Sequence, residues 1–281
     1  MRPLSESTVL VTGATDGLGR ALATELARHE ATVLVHGRNE SRGARTLNDI
    51  GAETGSRKLA WYRADLGSLH ETRALAERIA SEHERLDVLV NNAGVGTTLL
   101  GNGRRVESSD GYELRFAVNY LAPFLLTRLL VPLLTASAPA RIVNVSSAGQ
   151  APIDFDDVML QHGYSGVKAY CQSKLALVML TFDLAEELAD TGVTANCLHP
   201  GTYMPTKMVR DAGIQPLDSV ETGVHSTMRL VADPELEGVS GRYFDRVSEV
   251  RALGQAYDLA ARARLRELSE RLVGLLAQLN R

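Results

Sequence analysis

A short β-branched run, Thr8 to Thr12, ends in Gly13-Ala14-Thr15-Asp16-Gly17-Leu18-Gly19, and a helical pattern follows from Arg20 to Glu30. Few folds accept a strand, a glycine-rich turn and a helix start in that order. Glycines let the backbone approach a pyrophosphate, and the free N–H groups of the helix's first turn point at it. An ordinary tight βα turn has the same outline, so the rest of the chain must decide between them.

The alternation continues. Ala31 to His36, Lys58 to Tyr62, Leu86 to Val90, Arg141 to Val145, Val193 to Leu198 and Gly241 to Phe244 read as strands. Between them lie helical patterns at Asn39 to Ile50, Ser68 to Glu84, Gly111 to Leu134 (with Pro123 expected to kink it), Leu175 to Leu188 and a run ending near Ala232. The pattern predicts an α/β fold, a single-domain Rossmann-type doubly wound parallel sheet of about seven strands with helices on both faces. No linker interrupts the 281 residues, so residues 1–281 are read as one domain. It would carry a substrate loop at about 201–220 and a C-terminal helix at about 257–279. Leu265, Leu268, Leu272, Leu275, Leu276 and Leu279 form one stripe of that helix, to dock on the domain or on a second subunit. Leu99 to Ser109 and Ala148 to Gly163 read as loops, the second long enough to border a site.

Composition removes several classes. Net charge is −4 with no block of like charge, which argues against nucleic acid and acidic membranes as partners. Met1 to Ser7 lacks the basic and apolar regions of a signal peptide, and Phe116 to Leu134 is broken by Asn119, Arg128 and two prolines, so no membrane span is expected. Cys171 and Cys197 have neither metal-ligand nor redox spacing and read as buried thiols. A cytoplasmic protein without a metal site is expected.

Chemistry points to Tyr170-Cys171-Gln172-Ser173-Lys174. On a helix, Tyr170 and Lys174 lie one turn apart on one face, so an ammonium sits beside a phenol. An adjacent cation is expected to lower the phenol's pKa and fit it for proton transfer. A second copy, Tyr164 to Lys168, contains Gly166, which disfavours helix there, and the later copy is preferred. Cofactor choice is read after the second strand. An NAD site wants a carboxylate for the ribose 2′-OH, and here stand Gly37, Arg38 and Asn39. A guanidinium suits a 2′-phosphate, so NADP(H) is preferred with NAD(H) open to the site. Asp16, an acid in the phosphate loop, weighs the other way. Asp65 is placed to meet an adenine amino group, or else Asp65, Ser68 and Glu71 form a helix cap. Asn119 stands in apolar surroundings and must find partners.

These residues resemble the short-chain dehydrogenase/reductase family over nearly the whole length. The match is carried by Thr12-Gly13-x-x-x-Gly17-x-Gly19, Asn91-Asn92-Ala93-Gly94, Asn119, Ser147, Tyr170-x-x-x-Lys174 and Pro200-Gly201. Ala169 to Leu175 and the Arg38 turn look most like the retinol-dehydrogenase and WW-domain-oxidoreductase-like branch. The resemblance implies that Tyr170 exchanges a proton with the substrate oxygen as hydride moves to or from the nicotinamide. It implies that Lys174 holds the ribose, that Ser147 rather than Ser146 binds the substrate oxygen, and that Asn119 completes a proton relay. Gly13, Thr15, Gly17 and Gly19 would border the pyrophosphate with Asp16 and Leu18 between them, Asp65 and Leu66 the adenine, and Asn92, Ala93 and Gly94 the adenosine ribose. Pro200 and Gly201 would approach the cofactor as well. The family places a threonine five residues beyond the proline. Here that position is Pro205, with Thr206 one residue late and Thr202 before it.

The expected activity is NADP(H)-dependent interconversion of a ketone or aldehyde with an alcohol. Met159, Leu160, Tyr203, Met204, Met208, Val209 and Ile214 suggest a lipophilic small molecule. A homodimer or homotetramer is open to such a chain. A catalytically silent dinucleotide sensor of the same fold would be marked by damage at the tyrosine, lysine or serine. An epimerase or dehydratase of the extended group would carry other glycine spacing and a larger C-terminal region.

Overall fold

The computed structural model describes residues 2–97 and 104–275. Residues 98–103 of the expected Leu99 to Ser109 loop, and Leu276 and Leu279 of the expected stripe, lie outside them. Its elements are β1 (Thr8–Val11), α1 (Gly17–Arg28), β2 (Thr32–Gly37), α2 (Glu40–Thr54), β3 (Leu59–Arg63), α3 (Leu69–Glu82) and β4 (Val88–Asn91). There follow α4 (Leu114–Phe116), a π-turn (Ala117–Leu121), α5 (Ala122–Ala136), β5 (Ala140–Val145), α6 (Gly166–Glu187) and β6 (Val193–His199). The chain ends with α7 (Lys207–Asp211), α8 (Val220–Ala232), β7 (Tyr243–Asp245), β8 (Ser248–Glu249) and α9 (Leu259–Leu272).

The strands form one sheet in the order β3-β2-β1-β4-β5-β6-β7-β8. All neighbours through β7 pair in parallel, and only β7 with β8 is antiparallel. Among the described residues the count is eight, one more than the sequence suggests, because a two-residue edge strand carries no periodic signal. β1, β4 and β5 are buried at every position, as strands covered on both faces must be. Alternate residues feed two cores. Val9, Val11, Val33 and Val90 meet Leu22 and Leu26 of α1, Ile50 of α2 and Leu230 of α8. Leu10, Leu34, Leu89 and Ile142 meet Leu75 of α3, Leu125 of α5, Leu177 of α6 and Leu265 of α9.

Several helix boundaries differ from expectation, and two departures have a clear local reason. α6 starts at Gly166, not at Tyr170, because Ser165 caps it by accepting from Lys168 N and a glycine at the first position carries little of its interior cost. The long helical run widens into the π-turn just before Pro123, which has no N–H to offer the Asn119 carbonyl. Leu114–Ala136 as a whole is long and apolar enough to cross a membrane, yet most of it is buried inside this domain.

α9 is shorter than expected and ends at Val273 and Gly274, the latter with φ +71°. Its stripe docks on its own domain: Leu265 is buried, and Leu268, Leu272 and Leu275 pack partly buried on the same core. Tyr120 and Ser269 share a hydroxyl hydrogen bond of 2.7 Å, Tyr112 donates to Leu272 O at 2.9 Å and Arg73 donates to Val273 O. Arg262 pairs with Asp183 of α6 at 2.6 Å, their side chains 6% and 7% exposed.

Candidate active site

The strand order reverses between β1 and β4, and the two loops leaving these strands meet there. A Cβ on Gly13 (φ +65°) would stand 2.8 Å from the Ala93 Cα, and one on Gly19 would stand 2.4 Å from both the Gly13 carbonyl oxygen and Asn92 Nδ2. The space a side chain would fill is kept as a backbone cradle, which fits the phosphates of a dinucleotide. Thr12 ties the cradle together. Its hydroxyl accepts from Asn92 N at 2.9 Å and Ala93 N at 3.0 Å and donates to Val90 O at 3.2 Å. His36, which the sequence did not single out, lies under the same turn: its Nδ1 accepts from Gly13 N at 3.2 Å and its Nε2 faces Ala64 O at 3.2 Å. Burial lowers its pKa to about 4, so the ring is neutral, with the tautomer that donates from Nε2.

The neighbouring candidates divide. Thr15 faces Gly37, where a Cβ would come within 2.8 Å of its methyl group, so the first and second strands' loops adjoin. Asp16 acts as the N-cap of α1, accepting from Gly17 N at 2.7 Å. Leu18 turns its side chain into the core. Arg38 is exposed beyond β2, while Asn39 is the N-cap of α2, accepting from Arg42 N at 2.9 Å. Asp65 accepts from Gly67 N at 2.9 Å, and its own N–H donates to Glu71, whose N–H in turn donates to Ser68 Oγ at 3.3 Å. The capping reading of Ser68 and Glu71 thus holds, with Asp65 at the strand end just before it and Leu66 buried.

At the other side of the crevice, α6 brings Tyr170 and Lys174 to the ends of β4 and β5. Lys174 Nζ donates to Val145 O at 2.8 Å and lies 5.8 Å from the Tyr170 ring centroid. Ser147 and Tyr170 face the same spot: a Cβ on Gly149 would stand 3.5 Å from Ser147 Oγ and 3.8 Å from Tyr170 Cε1, and Ser147 Oγ accepts from Gly149 N at 3.0 Å. Ser146 instead is buried and donates to Lys174 O at 2.9 Å, so the choice of Ser147 between the two agrees with the geometry. Asn119 projects from the π-turn. Its Oδ1 accepts from Val95 N at 2.7 Å, and its Nδ2 donates to Val95 O at 3.1 Å and Ser173 Oγ at 3.0 Å. Gly94 sits between: a Cβ there would be 3.4 Å from Asn119 Oδ1 and 3.6 Å from Lys174 Nζ.

The electrostatics depart from the expected pairing. Burial holds the Tyr170 phenol above its ordinary value, and Ser147 beside it offsets part of that. Burial also lowers Lys174 to about 8. Tyr164 stands elsewhere, its phenol pushed up to about 12 by burial and the nearby Glu113, and Lys168 pairs with Asp154 at 3.0 Å.

Past β6, Pro200 and Gly201 are buried. Thr202 is committed to the loop's neck: its N–H donates to Asp218 at 2.6 Å, and its hydroxyl lies 3.0 Å from His199 Nε2 and 3.3 Å from Arg246 Nη2. Thr206 lies over the phosphate loop, where a Cβ on Gly17 would stand 2.8 Å from its methyl group. Of the two threonines, Thr206 is the one beside the cradle.

Residues 7–216 match the profile of the short chain dehydrogenase family. The chain is 38% identical to human retinol dehydrogenase 13, over 96% of this chain and 85% of that protein. It is also 38% identical to mouse polyprenol dehydrogenase, over 94% of this chain and 83% of that one. Among solved structures, the Pseudomonas aeruginosa RhlG/NADP active-site complex superposes with a TM-score of 0.70 at 27% identity, covering 87% of this chain and 97% of the other.

Proposed function

Because the chain belongs to the short chain dehydrogenase family, in the retinol-dehydrogenase branch, and is an oxidoreductase of CH–OH and C=O groups, we propose that it interconverts a lipophilic ketone or aldehyde with its alcohol using NADP(H). The observation that carries this reading is the convergence of Ser147 and Tyr170, which both border Gly149, with Lys174 and Asn119, which both border Gly94. The nicotinamide, when bound, supplies or accepts the hydride.

The protein's own residues do the rest. Gly13, Gly17 and Gly19 would give the pyrophosphate its backbone approach, with Thr206 beside Gly17 at the edge of that cradle. Lys174 Nζ, fixed by its 2.8 Å bond to the Val145 carbonyl oxygen, would hold ribose hydroxyls of the bound cofactor. Ser147 and Tyr170 bind the substrate oxygen together; in reduction Tyr170 donates the proton from its hydroxyl, and in oxidation it takes it back. Asn119 fixes the Val95 backbone and the Ser173 hydroxyl, and a water held by this polar group would restore the proton to Tyr170.

A lipophilic substrate is supported by Tyr203 and Leu217, both exposed on the loop after Gly201, and by the relatives named for retinol and polyprenol. The apolar Leu114–Ala136 run, mostly buried within the domain, serves this reading as a core helix behind the site. NADP(H) is supported by Arg38, which stands exposed where β2 ends beside Thr15, and by the NADP-bound solved relative. The test is a panel of ketones, aldehydes and alcohols followed by cofactor absorbance with each nucleotide. Turnover of apolar carbonyls with NADPH is expected; no turnover of any member would end the proposal. Arg38→Asp should weaken NADPH by about tenfold or more while leaving NADH nearly unchanged, since it removes a charge-assisted partner of the 2′-phosphate. Equal effects on the two nucleotides would remove the cofactor assignment.

A further inference from the structure

The second tyrosine–lysine copy has work of its own. Lys168 goes to Asp154, but Tyr164 reaches inward to Glu113 and Arg115, whose side chains are 1% and 0% exposed. Arg115 Nε donates to Gly96 O and Nη2 to Thr97 O, each at 2.8 Å. Its Nη1 faces Glu113 Oε1 at 3.3 Å and donates to the Tyr164 hydroxyl oxygen, which in turn donates to Glu113 Oε1 at 2.9 Å. The other Glu113 oxygen accepts from Phe116 N at 2.8 Å, capping the helix that carries Arg115.

Position gives this cluster its meaning. Arg115 precedes Asn119 by one turn, and between them they grip three successive residues, Val95 to Thr97, directly after Gly94. The first residue of α6 presses on the same spot: a Cβ on Gly166 would stand 2.4 Å from Thr97 O and 3.1 Å from Arg115 Nη2. Tyr164, two residues before that helix, joins it to the clamp. Burying a charged pair is no requirement of packing, since apolar side chains of the same volume often serve as well or better. What the guanidinium fork adds is a grip on two carbonyls at once, and what the phenol adds is a bond to the start of α6.

We propose that Arg115, with Glu113 and Tyr164, is a positioning device for hydride transfer that holds the segment after β4 and the start of α6 in one frame. The floor at Gly94 and the hydroxyl of Tyr170 then keep a constant separation. The device touches neither cofactor nor substrate, and it rests on the reductase reading above.

The experiment compares wild-type protein, Tyr164→Phe and Arg115→Lys, using NADPH, its deuterated form and the best carbonyl of the panel. Tyr164→Phe keeps the ring 5.9 Å from the guanidinium and removes only the hydroxyl, so it decides the matter even if Arg115→Lys does not fold. Tyr164→Phe should lower kcat about tenfold and raise the deuterium isotope effect on it, with the NADPH dissociation constant from fluorescence within about twofold of wild type. Arg115→Lys keeps the charge without the fork and should lose more. A Tyr164→Phe protein with wild-type kcat and isotope effect would overturn the proposal, as would a kcat loss matched by an equal loss of NADPH affinity. Wild-type protein without turnover would remove the reductase reading and this device together, so the two failures are told apart.

Discussion

Tyr170→Phe should lower turnover by about a hundredfold to ten-thousandfold, the contribution typical of a positioned proton donor, while NADPH binds nearly as before. The reason lies in what the hydroxyl does and does not hold. Tyr170 lies beside Ser147 at Gly149, whereas the cradle at Gly13 to Gly19 and the Lys174–Val145 contact are built without its hydroxyl. Phenylalanine therefore keeps the crevice and deletes the proton. Single-turnover absorbance after mixing with substrate reads the chemical step, and fluorescence titration reads the nucleotide. Wild-type turnover in the variant would refute the assignment of Tyr170.

The second large effect is on stability. Arg262→Ala should cost about 3–5 kcal/mol of unfolding free energy, because it strands a carboxylate that the fold has already taken out of water. Asp183 would keep only Arg266 Nη1 at 3.7 Å. Arg264→Ala, at an exposed pair with Asp156, should cost under about 1 kcal/mol and serves as the control. The sign of the pH dependence follows from Asp183, whose pKa burial raises even with its partners, Arg262 first among them, pulling it down. Removing Arg262 raises it further, so the folded variant takes up a proton more readily than the unfolded chain, and its deficit should shrink as pH falls. Urea titrations of both variants at neutral and acid pH measure this. An equal loss in the two variants would mean that the Arg262 pair carries no special burden.

Much of the architecture was legible because local pattern and final burial agree. Runs such as Thr8 to Val11 and Ile142 to Val145 are buried on both faces, and both β-branched character and continuity announce that. The site was legible because its residues occur in short motifs that the fold keeps intact. What stayed hidden is non-local. Tyr164 and Arg115 are 49 residues apart, and Asp183 and Arg262 are 79 apart, with no spacing rule connecting them. The burial of Tyr170 and Lys174 was hidden as well, since sequence reveals a neighbouring lysine but not the loss of water around both groups. Gly166 misled because its propensity describes helix interiors, whereas here it occupies a first turn pressed against the Thr97 carbonyl.

The way α9 is seated bears on how the protein comes off the ribosome. Residues that belong to one wall of its dock, Arg73 and Tyr112, emerge long before their acceptors at Val273 and Leu272, separations of 200 and 160 residues. Until those acceptors appear, the nascent α3, α5 and α6 present an uncovered oily flank, and synthesis itself sets the earliest moment at which it can be shielded. Slow or stalled translation upstream of residue 259 would thus leave the chain most dependent on cellular folding assistants.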